Sequence, residues 1–165
     1  MSKYDDHIAQ ATNNLEFLVE VNAMGNNRMD WQVTIAFYTS LHLINVHVLA
    51  TTGKFYQKHI DVHFAINPHK HGDGQLPIEI YRSYMKLFRL SRRSRYLCSD
   101  DPKATPTMNN ISHHIKPSHL AKAFRNLDKV LDFFVTKHNL KIDPSEVECD
   151  ALGNSESMKF FKKKA

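Results

Sequence analysis

Residues 117–138, PSHLAKAFRNLDKVLDFFVTKH, decide the fold class. Leu120, Ala123, Phe124, Leu127, Val130, Leu131, Phe134 and His138 recur at intervals of three and four, while Lys122, Arg125, Lys129 and Asp132 fall on another face. That period is helical, and it lays a continuous apolar stripe against whatever the helix packs on. Pro117 begins the run where its missing amide costs nothing, because first-turn N–H groups have no partner inside the helix. A stripe this wide needs other helices to cover it.

The preceding sequence supplies them. Ile8, Ala11, Leu15, Leu18 and Val19 repeat with the same spacing, and Met24-Gly25-Asn26-Asn27 provides a glycine stop, which predicts a first helix from Asp5 to Met24. Asp30 is placed to cap a second, running from Trp31 to Thr52 before Gly53. Val33, Phe37, Leu41, Ile44 and Val48 line one side of it; Trp31, Ile35, Tyr38, His42 and Leu49 occupy the adjoining arc. So broad an apolar arc marks a central helix touched on several sides. The remaining face, with Ala36, Ser40, Leu43 and His47, is small enough in part to admit another helix or a second subunit. Pro77 opens a third helix in which Ile80, Tyr84, Leu87, Leu90 and Leu97 share a face, with Ser91 and Ser94 allowing close packing.

Residues 54–76 carry Pro68, Gly72 and Gly74 among several histidines and have no sustained period, so they read as a loop with one helical turn near His59–Ala65. A second polar loop holds Pro102, Pro106, Asn109 and Asn110. Beyond Leu140, Pro144, Gly153 and many polar residues predict a tail with a short basic and aromatic turn at Met158–Lys164. The expected organisation is an all-α, up-and-down bundle of four or five helices over residues 1–140, followed by a polar C-terminal tail over 141–165.

Composition bounds the function. A chain of 165 residues, 42% hydrophobic, can bury one ordinary core. Cys98 and Cys149 are the only cysteines, which excludes a disulfide framework and a CxxC metal or redox motif and fits a reducing cytoplasm. No basic-then-apolar signal opens the chain, and Gln32, Ser40, His42, Asn45 and His47 interrupt the Trp31–Ala50 stretch. A cytoplasmic protein with no membrane span is therefore expected. The net charge of +5 permits an anionic partner, and eleven histidines predict stronger electrostatic binding on mild acidification.

Three separated pieces carry a family likeness: Asp30-Trp31 with Ala36-Phe37-Tyr38-x-x-Leu41-His42, the histidine loop, and Tyr84-x-x-Leu87-x-x-Leu90-Ser91-Arg92-x-x-Arg95-Tyr96. Together they resemble a prokaryotic branch of the HEPN superfamily (higher eukaryotes and prokaryotes nucleotide-binding) over roughly Asp5–His138. The resemblance implies a four- or five-helix domain, commonly a homodimer, that handles RNA or nucleotides. Many such proteins are metal-independent endoribonucleases of toxin or phage-defence systems, so an antitoxin or defence partner is implied as well. Active members carry an arginine followed after four to six residues by a histidine. No arginine in this sequence has a histidine at that distance, so no residue role carries over from that motif.

The residues themselves offer another set. Metal-free cleavage of RNA needs a base for the 2′-hydroxyl, an acid for the leaving oxygen and cations for the phosphorane. His59 and His63 suit the first two roles, Arg92 and Arg95 the third, with His42, Tyr38 and Tyr96 in support. His42 is expected inside the core, fastening the loop through His59 or orienting an arginine. Arg82, Lys86, Arg89 and Arg93 form a basic ridge suited to nucleic-acid phosphates. His59 and His63 also have the i, i+4 spacing of a zinc pair, with His69, His71, Asp61 and Asp73 nearby. Ile60 stands where an HExxH motif has its acid, so no metal and no cofactor are expected. Phe160-Phe161-Lys162-Lys163-Lys164 is a further place for an anionic partner to touch. The rival expectation is a noncatalytic helical dimerisation or interaction module whose arginines meet an acidic protein or a second copy of the chain.

Overall fold

The computed structural model describes residues 3–25, 28–105, 107, 112–153 and 156–164. Asn26, Asn27, Pro106, Asn109 and Asn110, read as turn residues, lie outside them. Among the described residues the chain forms α1 (Lys3–Ala23), α2 (Met29–Thr52), α3 (His59–Ile66), α4 (Ile78–Tyr96) and α5 (Pro117–His138), then β1 (Ser145–Val147) and β2 (Phe161–Lys163). The protein is an all-α helical bundle with a small parallel strand pair appended.

The helix ends follow local chemistry. Asp30 lies in the first turn of α2 rather than at its cap, where its charge complements the positive end of the helix dipole. Gly53 closes α2 with φ 66°, its amide bonding the Leu49 carbonyl. Pro77 immediately precedes α4, and at the start of α5 the His119 ring accepts the Lys116 amide at 3.0 Å.

α2 is the central helix, in contact with α1, α3, α4 and α5. Val33, Phe37, Ile44 and Val46 have no exposed surface. The helix is long and apolar enough to cross a bilayer, yet 78% of its most apolar window is buried inside the bundle, as in a core helix. Asn22 bonded to Gln32, and His7 to His42, show that α1 runs antiparallel to α2. Thr34 bonded to Ser94, and Phe37 packed on Phe88, show the same for α4. The small face of α2 is filled by α5, where His47 meets Phe133, Phe134 and His138.

The helical turn expected at His59–Ala65 extends to the eight residues of α3, which bury Val62, Ala65 and Ile66. Gly72 is required there: a Cβ at that position would sit 2.4 Å from the Ala65 carbonyl oxygen. That close return lets the Leu76 amide bond Ile66.

The segment read as a polar tail instead packs on the bundle. Val147, Cys149, Leu152, Phe160 and Phe161 join the same core as the helices. Asp128 of α5 accepts the amides of Phe160 and Lys159, and Asn22 of α1 accepts the Glu148 amide while donating to its carbonyl. Val147 and Cys149 alternate with Glu146, Glu148 and Asp150, but over too few residues to announce a strand, and Leu152, Phe160 and Phe161 carry no period. Their anchors are polar side chains far away in sequence.

Candidate nucleic-acid interface

The antiparallel contact of α2 with α4 builds the most distinctive surface. Ser94 bonds the Thr34 hydroxyl at 2.8 Å and the Asp30 carbonyl at 2.6 Å, locking the end of α4 onto the start of α2. The next residue, Arg95, is thereby carried to Tyr38. Its guanidinium carbon lies 5.8 Å from the Tyr38 ring centre and 5.2 Å from that of Tyr96, and its Nη1 approaches the Tyr38 hydroxyl at 3.5 Å. Both separations are in cation–π range. Tyr96 is 66% exposed and Trp31, beside Asp30, is 58% exposed. A cation flanked by aromatic rings and open to solvent is suited to an anionic ligand with flat groups.

α3 brings the loop histidines to the same side. His59 is exposed and packs its ring 6.0 Å from Phe37, the neighbour of Tyr38. His63 sits edge-on to Phe88 at 4.7 Å and to Tyr84 at 5.5 Å. Its Nε2 is buried without a hydrogen-bond partner, and burial, aided by the nearby His59, lowers its pKa to about 4. Its neutral form is therefore favoured, which suits a ring packed between aromatics and disfavours the imidazolium that a general acid needs. Arg92 lines a separate cavity with Phe88, Cys98 and Ser99. Of the four residues proposed for catalysis, His59, His63 and Arg92 thus border Phe37 or Phe88, while Arg95 lies against Tyr38 and Tyr96. Among the described residues no hydrogen bond or ion pair joins either histidine to either arginine.

Two placements correct the sequence reading. His42 does not reach His59 or an arginine; its Nδ1 lies 2.8 Å from that of His7 on α1, and His7 in turn stacks on Phe55. Arg93 is not on the basic ridge. Only 8% exposed, it donates to Asp100 at 2.6 Å and to the His114 carbonyl at 3.1 Å, tying the loop after α4 to the bundle. Arg82 and Lys86 are exposed and Arg89 half-buried, so the ridge ends one turn earlier than expected.

The expectation that acidification adds charge is also reduced. His7, His42, His47, His63, His119 and His138 are all held below the usual histidine pKa, chiefly by burial. Among the described residues no three His, Cys, Asp or Glu side chains converge as metal ligands, and His59 and His63 face aromatic rings instead.

Exposed Trp31 and the Arg93 partner Asp100 are not evident from the sequence. Trp31 read as part of the apolar arc, although its position at the helix start signalled exposure; Asp100 carried no signal linking it to Arg93. Comparison with family models, curated proteins and solved structures finds no match to this chain.

Proposed function

We infer that the chain is an HEPN-like domain that handles RNA or nucleotides, binding them on the face formed by α2, α3 and the end of α4. The carrying observation is the exposed Arg95 guanidinium between the Tyr38 and Tyr96 rings. A guanidinium meets phosphate through paired N–H donors, and the rings accept bases by stacking, so one small surface satisfies both parts of a nucleotide. The test is a salt titration of binding to a mixed-sequence RNA, comparing the original chain with Arg95→Ala. Equal affinity in the two would end this reading.

Metal-independent endoribonuclease activity, in a toxin or phage-defence setting, is a second reading favoured by the exposure of His59, which packs on Phe37 of α2. His59 would take the 2′-hydroxyl proton, and Arg95 would steady the phosphorane. RNA incubated with the protein in EDTA should then be cut by the original chain and left intact by His59→Ala. If both leave it intact while Arg95-dependent binding persists, the domain binds without cutting. The same face also exposes Ile60 and Phe64, which fits the rival role of a homodimerisation or interaction module. Sedimentation at low and high salt separates that role from RNA binding, because an apolar interface survives salt.

A further inference from the structure

Between α4 and α5 lies a cleft of about 390 Å³, away from the Tyr38–Arg95 pair and within the usual range of roughly 300–1,000 Å³ for small-molecule sites. α4 contributes Lys86 and Arg89 to it, α5 contributes Lys122, and Asp100-Asp101-Pro102 form one wall. Among the described residues, Lys86, Arg89 and Lys122 have no ion pair and donate no side-chain hydrogen bond. The acids are largely occupied: Asp100 is held by Arg93, and one oxygen of Asp101 accepts the Lys103 amide at 2.8 Å. Three cations from two helices, none of them ion-paired, therefore line the cleft opposite two carboxylates, of which Asp100 is already neutralised by Arg93.

We propose that this cleft binds a phosphomonoester, with the phosphate held by Lys86, Arg89 and Lys122. A dianion with three terminal oxygens gives each cation its own acceptor, which a single carboxylate would not. The remaining groups fit what such an ester carries. Asn126 donates its amide to the Lys122 carbonyl at 2.6 Å, leaving its side-chain oxygen to accept a ligand hydroxyl, as the carboxylate of Asp101 also does. Leu90 and Pro102 supply the apolar part of the lining. The site does not depend on the RNA reading, because it shares no residue with the α2–α4 face.

The experiment is calorimetric titration of the full chain at low salt with ribose 5-phosphate, with ribose, and with RNA oligonucleotides bearing a 5′-phosphate or a 5′-hydroxyl. The expected result is saturable binding of a phosphorylated probe and none of its unphosphorylated match. Binding should weaken about tenfold or more in both Arg89→Gln and Lys122→Gln, the loss expected for one charge-assisted hydrogen bond. Ribose 5-phosphate binding would identify a small metabolite as the ligand; binding of the 5′-phosphorylated oligonucleotide alone would identify an RNA end. Arg95→Ala should leave either within twofold, which separates this site from the α2–α4 face. All these side chains reach solvent, so the variants should keep the original circular dichroism spectrum. An unchanged affinity in Lys122→Gln would overturn the proposal, since a basic ridge on α4 alone has no need of α5. So would the absence of saturable binding by any phosphorylated probe.

Discussion

Asp128 on α5 accepts the backbone amide of Phe160 at 2.7 Å, joining the end of the chain to the middle of the last helix. Asp128 is only 8% exposed and also takes the Lys159 amide, so one carboxylate satisfies the buried Phe160 donor and its neighbour just before β2. Removing it leaves those donors unpaired. Asp128→Ala is therefore expected to cost about 1–3 kcal/mol, and Phe161→Ala, which empties a fully buried site, about 3–5 kcal/mol. Urea unfolding measures both. Losses under about 0.5 kcal/mol would mean that residues 145–163 contribute little to the bundle.

Acid should weaken the fold through its buried histidines. Burial pushes His42, His47 and His63 down to about 4 from the usual 6.5. Between those values the unfolded chain takes up protons that the folded chain refuses, so stability falls as pH drops from about 6.5 toward 4 and levels off below. For His47 the cause is visible: the ring is only 1% exposed, and Lys137 and His138 beside it add to the cost of charging it. His47→Leu should match or exceed the original stability at pH 7 and flatten the acid-side decline. Urea midpoints at pH 7, 6 and 5 decide; a steeper decline in the variant would contradict the assignment.

The architecture was legible wherever the apolar period was sustained. The 117–138 stripe and the wide arc of α2 were enough to require a bundle, because each has a face that only other helices can cover. α3 was half legible, since its eight residues are too few for a period to stand out. The C-terminal strands were not legible: Val147 and Phe161 are buried by contacts with residues far off in sequence. At the candidate site the residue types were readable and their directions were not. Arg92, Arg93 and Arg95 look alike in sequence, yet one lines a cavity, one is buried against Asp100 and one lies between tyrosines. A helical wheel orders such residues by angle, but the loop after α4 decides which of them are covered.

Arg93 should behave as a structural cation. Its pair with Asp100 is largely shielded, and removing one partner strands the other while freeing the His114 carbonyl. Arg93→Ala is expected to cost about 3 kcal/mol, the low end for a buried pair because Asp100 keeps some exposure. Arg82→Ala, on the exposed part of the same helix, should stay within about 0.5 kcal/mol. Thermal or urea unfolding of the two variants makes the comparison; equal effects would mean that the Arg93–Asp100 contact is not formed in solution.

The α2–α4 face makes the sharpest functional prediction, because its two components respond differently to salt. On the proposed reading Arg95 would neutralise phosphate and release counterions, so Arg95→Ala should lower the slope of log K against log salt by about 0.7 for a single strand. Tyr96 would contribute through its ring, so Tyr96→Ala should weaken binding by about 1–3 kcal/mol at every salt concentration and leave the slope unchanged. Tyr96→Phe should retain most of the affinity, since stacking needs the ring and not the hydroxyl. A titration in which Tyr96→Ala changes only the slope, or in which Arg95→Ala changes nothing, would mean that the tyrosines merely shelter the arginine. The exposed rings would then belong to a protein contact.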